Sequence, residues 1–321
     1  VTIGPDQGWI QAYFTDPGAP EAETLRAGPD QNLVEAIEST SYSVDLAVFR
    51  LDLWSVRDAL IQAHRRGVRV RVVTESDNFG EQEIRDLNNA GVEVRQDEMG
   101  ALMHHKFAVL DDIEVWTGSM NLTVNGAYRH NNNLVRIRSE QLAASFKREF
   151  EEMYVEGRYG ALSRADTPYR VIEIEASRME AWFSPDDGVA ARLVELVRGA
   201  EDRIDIMAFN FTLDALGEIL GEKSLQGVTV RGVFEADQAD NPGSEMEFLR
   251  EMGVELRLDA NPNSMHHKVM ILDDRIVVTG SYNFSRSAEE ANDENVVIIH
   301  DPGLAAEYVA EFERLFSEAS R

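Results

Sequence analysis

Two copies of a His-x-Lys pair carry the chemistry that this sequence offers. The first reads Met103-His104-His105-Lys106, then Asp111, then Gly118-Ser119-Met120-Asn121; the second reads Met265-His266-His267-Lys268, then Asp273, then Gly280-Ser281-Tyr282-Asn283, 162 positions further on. In each copy the histidine and lysine stand two apart in an apolar run, so an extended strand sets both side chains on one face. Displacing an alcohol from a phosphodiester needs a nucleophile, a proton for the leaving oxygen and positive charge on the non-bridging oxygens. Two histidines, if brought to face each other, can supply the first two, one attacking to give a phosphohistidine and the other protonating the leaving group and then activating water. Lys106, Lys268, Asn121 and Asn283 would hold the phosphate oxygens. Ser119 and Ser281 would add hydrogen bonds, and Gly118 and Gly280 would let the backbone approach closely. This scheme needs no metal and no other cofactor. By strand alternation His105 and His267 point away, towards the core or a supporting role. Asp111 and Asp273 fall at an expected turn, where turn and ion-pair roles are expected rather than catalysis.

The composition narrows the setting. With 321 residues, 43% of them apolar, the chain can bury a sizeable core as one large domain or two of similar size. Fifty-eight acids against 31 bases give a formal net charge of -27, which repels nucleic-acid and anionic lipid backbones over most of the surface. Any phosphate must therefore be held in a cleft with its own positive charge. Only Lys106, Lys147, Lys223 and Lys268 are lysines, and two of them stand in the motifs. There are no cysteines, so a disulfide framework, a thiolate metal site and a thiol nucleophile are all excluded. No apolar run is long enough to span a membrane. The chain opens Val1-Thr2-Ile3-Gly4-Pro5 without a methionine, which favours an exported, processed form slightly over a cytoplasmic one.

The elements that must position the motifs repeat. Strands are expected at 9–14, 44–49 and 68–73, and helices around 33–37, at 53–66 and near 81–90, an alternation typical of βαβ units. The motif region differs, with strands at 106–110, 113–117 and 133–138. A helix over 141–154 then places Leu142, Phe146, Phe150 and Tyr154 on one buried stripe. After an expected linker at 155–178, interrupted by Gly157, Gly160 and Pro168, the order recurs. Asp45 corresponds to Asp205, Phe49 to Phe209, Glu75 to Glu235, Phe146 to Tyr308 and Phe150 to Phe312. Two halves are thus expected, residues 1–154 and 179–321, packed about a pseudo-twofold axis. Phe49, Phe209, Glu75 and Glu235 end equivalent strands, where a ligand crevice, a rim or plain core all fit. Most of Trp54, Trp116, Tyr128 and Tyr282 are expected to be packing.

The spacing His-x-Lys-x4-Asp-x6-Gly-Ser-x-Asn, complete in both halves, resembles that of the phospholipase D superfamily. The resemblance implies an α/β fold of two similar halves, each a mixed, mainly parallel sheet flanked by helices, whose motifs meet at the interface in one active site. It also implies an acceptor that orients each histidine through its second ring nitrogen. Twenty-eight residues beyond each motif histidine stand Asn132 in the first half and Glu294 in the second. A carboxylate raises an imidazole's pKa, whereas an amide fixes the tautomer and leaves the ring neutral. On this ground His104, held by Asn132, is expected to be the nucleophile, and His266, backed by Glu294, the general acid and base. The resembling tyrosyl-DNA phosphodiesterases divide the roles between an amide-backed and a carboxylate-backed histidine in the same way.

The expected function is a metal-independent phosphodiesterase, a phospholipase D that hydrolyses phospholipids and can transfer them to other alcohols. The alternative is a nuclease acting on DNA, disfavoured by the acidic surface but favoured by the Asn132/Glu294 asymmetry and by halves too short for large apolar lids. A phosphate-binding module without turnover is remote, because no motif residue is missing. Because both motifs lie in one chain, a functional monomer is expected.

Overall fold

A computed structural model describes residues 1–98 and 100–320. Each half is built on an eight-stranded sheet. In spatial order the first runs Thr2–Ile3, Ile10–Phe14, Asn133–Arg138, Glu114–Gly118, Lys106–Leu110, Ser43–Val48, Arg69–Thr74, Glu93–Gln96. The second runs Val171–Ile174, Ser177–Ser184, Glu294–His300, Ile276–Gly280, Lys268–Leu272, Arg203–Ala208, Thr229–Phe234, Glu255–Leu258. The two orders match strand for strand, as a duplicated unit requires.

The α/β class and the two similar halves stand, and each sheet is mixed, but it is not mainly parallel. Only the three strands furthest from the edge hairpin, such as Ser43–Val48, Arg69–Thr74 and Glu93–Gln96, pair parallel; every other neighbour in the sheet is antiparallel. Parallel pairing needs a crossover helix, which Trp54–Arg65 and Gln82–Asn89 provide. The motif strand Lys106–Leu110 instead turns straight into Glu114–Gly118, and so short a connection forces an antiparallel pair. The linker is also shorter than 155–178, because Val171–Ile174 already forms the edge of the second sheet.

The helices Glu140–Tyr154 and Pro302–Glu318 lie between the two sheets. Their starts are capped by Ser139 and Asp301, whose side chains accept from Leu142 N and Leu304 N. One apolar cluster there joins Phe14, Phe107, Phe146 and Phe150 to Phe183, Val269, Tyr308 and Phe312. Phe146 meets Phe183 at 5.1 Å and Phe14 meets Tyr308 at 4.9 Å, so aromatic packing crosses from half to half. Burying this shared face is what holds the motif strands against each other.

Candidate active site

Each motif strand is laid along the acceptor segment of the opposite half. His104 N donates to Asp293 O at 2.9 Å and His266 N to Asn131 O at 2.9 Å, while His130–Asn131 pairs parallel with Ser264–Met265. The buried carboxylates of Glu75 and Glu235 fix the approach by accepting from Met103 N at 2.7 Å and Met265 N at 2.6 Å. These strand ends therefore position the motifs, which narrows the three readings left open for them.

Because the segments cross, so do the acceptors. His104 Nδ1 bonds to Glu294 Oε2 at 2.8 Å, and His266 Nδ1 to Asn132 Oδ1 at 3.0 Å. The expected pairing of His104 with Asn132 and His266 with Glu294 is thus reversed: equal spacing from each histidine fixes the acceptor's position in its own half but not which half it reaches into. The Asn132 amide is oriented by its own bonds, with Nδ2 donating to Gly126 O at 3.0 Å and Oδ1 accepting from Ser119 Oγ at 2.8 Å. An acceptor at each Nδ1 puts the proton there and leaves Nε2 of both rings unprotonated, that of His266 accepting from Lys268 Nζ at 3.3 Å.

Ser119 and Ser281 are fully buried behind the acceptors rather than at the phosphate. Ser119 holds Asn132, and Ser281 Oγ accepts from Asn295 N at 2.9 Å and acts on Glu294. They support the acceptors, a correction of the phosphate contacts expected of them. Gly118 and Gly280 do serve close approach, but to protein: a Cβ on either would run into the carbonyl of Asn133 or Asn295 on the next strand. Asn121 and Asn283 remain half-buried with Oδ1 unpartnered, so these amides are free to turn to a ligand.

Lys106 Nζ donates to His104 O at 2.8 Å and lies 5.3 Å from the Phe49 ring centre; Lys268 Nζ donates to His266 O at 2.9 Å and lies 5.0 Å from Phe209. The same two rings pack on His104 and His266, each at 4.8 Å, so Phe49 and Phe209 wall the site. Trp116, Tyr128 and Tyr282 are buried packing, whereas Trp54 is exposed.

The electrostatics follow from burial. Desolvation pushes His104 down to about 4, with Glu294 opposing it, and Lys106 down to about 7. His266 and Lys268 are pushed well below their usual ranges by burial and by neighbouring cations. Glu294 is itself buried, yet His104, Lys106 and Ser281 together keep its carboxyl below the usual value. Two lysines therefore face the single carboxylate of Glu294, and an anion would relieve the excess of positive charge.

His105 and His267 take the supporting role. His105 bonds to Glu149 at 3.1 Å and reaches Asn295 of the other half at 3.4 Å; His267 reaches Glu311 at 3.4 Å and Asn133 at 3.1 Å. Asp111 adopts a left-handed turn and its carboxylate accepts from Ser41 N, Tyr42 N and Ser43 N; Asp273 does the same for Glu201 N, Asp202 N and Arg203 N. Both are turn clamps, and Asp273 also pairs with Arg275 at 3.3 Å. One residue at the site had not been singled out: His130, whose ring lies 5.8 Å from that of His266.

Two fused α/β halves, exchanging the acceptors of a doubled His-Lys-Asn set across a pseudo-twofold axis, define a two-motif fold with one shared site. The family described as "Cardiolipin synthase, PLD-like domain" matches residues 33–154 and 193–316. The chain belongs to this family, within the phospholipase D superfamily that its motifs resemble. It is 35% identical over 139 residues to a mitochondrial cardiolipin hydrolase of Chlamydomonas reinhardtii, a match covering 43% of this chain and 62% of that protein. With the mitochondrial cardiolipin hydrolase of Xenopus laevis it shares 39% over 154 residues, 47% of this chain and 73% of the relative. The solved phosphatidylserine synthase of Haemophilus influenzae Rd KW20 superposes with a TM-score of 0.73 over 98% of this chain and 87% of that one; at 12% identity this likeness is one of fold.

Proposed function

We propose that the protein is a phosphodiesterase of the phospholipase D type, acting on phospholipids through a phosphohistidine. The crossed acceptors carry this reading: His104 on Glu294 at 2.8 Å and His266 on Asn132 at 3.0 Å leave two unequal imidazoles in one cationic site. His104 is the nucleophile, on different ground from the amide-backed argument. When Nε2 attacks phosphorus the ring becomes cationic, and a carboxylate on Nδ1–H balances that charge where an amide cannot. The bond to the leaving oxygen breaks as His266 Nε2–H gives it a proton. Bound phosphate supplies the negative charge that offsets Lys106 and Lys268 and so raises the pKa of His266 towards the protonated form. In the second step His266 Nε2 takes a proton from water, the oxygen attacks phosphorus, and the P–N bond breaks to restore neutral His104. An alcohol in place of water gives transfer instead. Lys106, Lys268, Asn121 and Asn283 hold the non-bridging oxygens, and both acceptors lie in one chain, so the monomer is complete for this scheme.

Lipid is favoured over DNA by relatives named as cardiolipin hydrolases; the net charge of -27 repels DNA and anionic lipid alike and favours only a zwitterionic headgroup over DNA. Among the described residues no helix is long and apolar enough to cross a membrane. The test incubates the protein in chelator with cardiolipin and phosphatidylcholine vesicles and, separately, with single-stranded and plasmid DNA. Lipid cleavage without DNA cleavage is expected; the converse overturns the substrate. Trapped phosphoenzyme is expected to carry its label on His104, and label on His266 overturns the assignment.

A further inference from the structure

The two ends of the site are unequal in a way the motifs do not record. Asn292 occupies in the second half the place that His130 holds in the first. Near His104, Asn292 is buried and its Oδ1 accepts from Leu102 N at 3.2 Å, which closes that end. Near His266, the His130 imidazole is only partly buried, and neither ring nitrogen has a hydrogen-bond partner among the described residues. Only its main chain is tied, through Thr15 Oγ1 to His130 O at 2.7 Å and through the pairing with Ser264.

The charged groups that act on His130 are Lys268 from the motif strand and Arg129 beside it in sequence, and the facing imidazole is His266. Among the described residues no carboxylate acts on it. Arg129 is exposed, its guanidinium steadied by Asn125 Oδ1 at 2.9 Å. A free imidazole N–H backed by two cations is a donor set for an anion. Burial and these cations hold the ring neutral, at about 4, and an arriving negative charge would reverse that.

We infer that His130, with Arg129, forms a leaving-group subsite that receives a second phosphate carried by the departing alcohol. The inference rests on the reading of His266 as general acid, because that places the departing oxygen at the His130 end. A lipid of two phosphodiesters bridged by glycerol has this form: its leaving alcohol is a phosphatidylglycerol, negatively charged, whereas phosphatidylglycerol itself releases neutral glycerol. The chemistry at the breaking bond is the same in both, so the second phosphate alone separates them.

The test uses soluble short-chain cardiolipin and phosphatidylglycerol with the wild type, His130→Asn, which copies the twin position, and His130→Arg. Hydrolysis of bis(p-nitrophenyl) phosphate reports separately whether the His104–His266 pair works. His130→Asn is expected to lower the cardiolipin-to-phosphatidylglycerol ratio of kcat/KM by about tenfold, the effect of losing one charge-assisted hydrogen bond, and His130→Arg to restore it. An unchanged ratio, or equal losses on both lipids, overturns the subsite. If the wild type cleaves bis(p-nitrophenyl) phosphate but neither lipid, the lipid reading is what fails. The ratio is then read on dinucleotides whose leaving nucleoside does or does not carry a terminal phosphate; dependence on His130 there upholds the subsite, and independence overturns it.

Discussion

Replacing Glu294 by glutamine tests the crossed arrangement at its most consequential atom. The substitution keeps an oxygen for His104 Nδ1 at the 2.8 Å position but removes the charge behind it. A buried hydrogen bond to a charged partner contributes about 1.5–3 kcal/mol against about 1 kcal/mol for a neutral pair, so roughly 1.5 kcal/mol of support for the cationic phospho-imidazole is lost. That predicts about a tenfold slower phosphorylation step, since each 1.36 kcal/mol is a factor of ten. A single-turnover experiment with bis(p-nitrophenyl) phosphate isolates that step as the burst of nitrophenolate. The steady-state rate must be read beside it, because a slowed second step would leave the burst intact. A burst of wild-type rate, with only the hydrolysis of the phosphoenzyme slowed, would refute the assignment of Glu294 to the nucleophile and move it to the general acid and base. Asn132→Asp is the complementary change: a carboxylate behind His266 should raise the pKa of the acid and carry the alkaline limb of the rate profile upward.

The profile of kcat/KM against pH, which reports the free enzyme, should fall below about pH 4 as His104 takes a proton and loses its lone pair, and should fall on the alkaline side as His266 loses its proton, no later than about pH 7, where Lys106 loses its charge. The low pKa of His266 can move the alkaline limb only to lower pH, so a limb well above 7 would contradict the burial argument. Gly280→Ala forces a Cβ into the Asn295 carbonyl and should cost about 2–3 kcal/mol in urea unfolding, whereas a neutral result would mean that the strands part easily. Asp111→Ala removes the carboxylate that accepts from three backbone N–H groups at a left-handed turn and should lower stability by about 1–2 kcal/mol with kcat of the folded fraction unchanged; a large loss of kcat at full stability would make this aspartate catalytic.

Much of the fold was legible because its signals are local. Helix stripes such as Leu142, Phe146 and Phe150, the turn at Asp111, and the drifting but continuous repeat each depend on a few neighbouring residues, and the structure keeps them. The mainly parallel sheet is what the resemblance implies, and strand direction departs from it at the motif hairpin, where no crossover helix joins Lys106–Leu110 to Glu114–Gly118. The crossing of Asn132 and Glu294 could not be read from spacing, since a repeat gives equivalence and not contact. Ser119 and Ser281 were misplaced for a similar reason: a strand followed by a sharp bend at glycine turns the next side chain away from the phosphate and behind it. His130 did leave a signal, because aligning the two halves sets it against Asn292, and a titratable residue against an amide near a catalytic pair was a difference worth weighing.

The exchange of acceptors also bears on ancestry. In an assembly of two identical single-motif chains, one gene writes both acceptors, and the two histidines must be backed alike. With both halves in one chain that constraint is lifted, so that position 132 can hold an amide and position 294 a carboxylate, and the two imidazoles can differ. Each half then governs the histidine of its neighbour, and neither can be recombined with a foreign partner without resetting the division of labour.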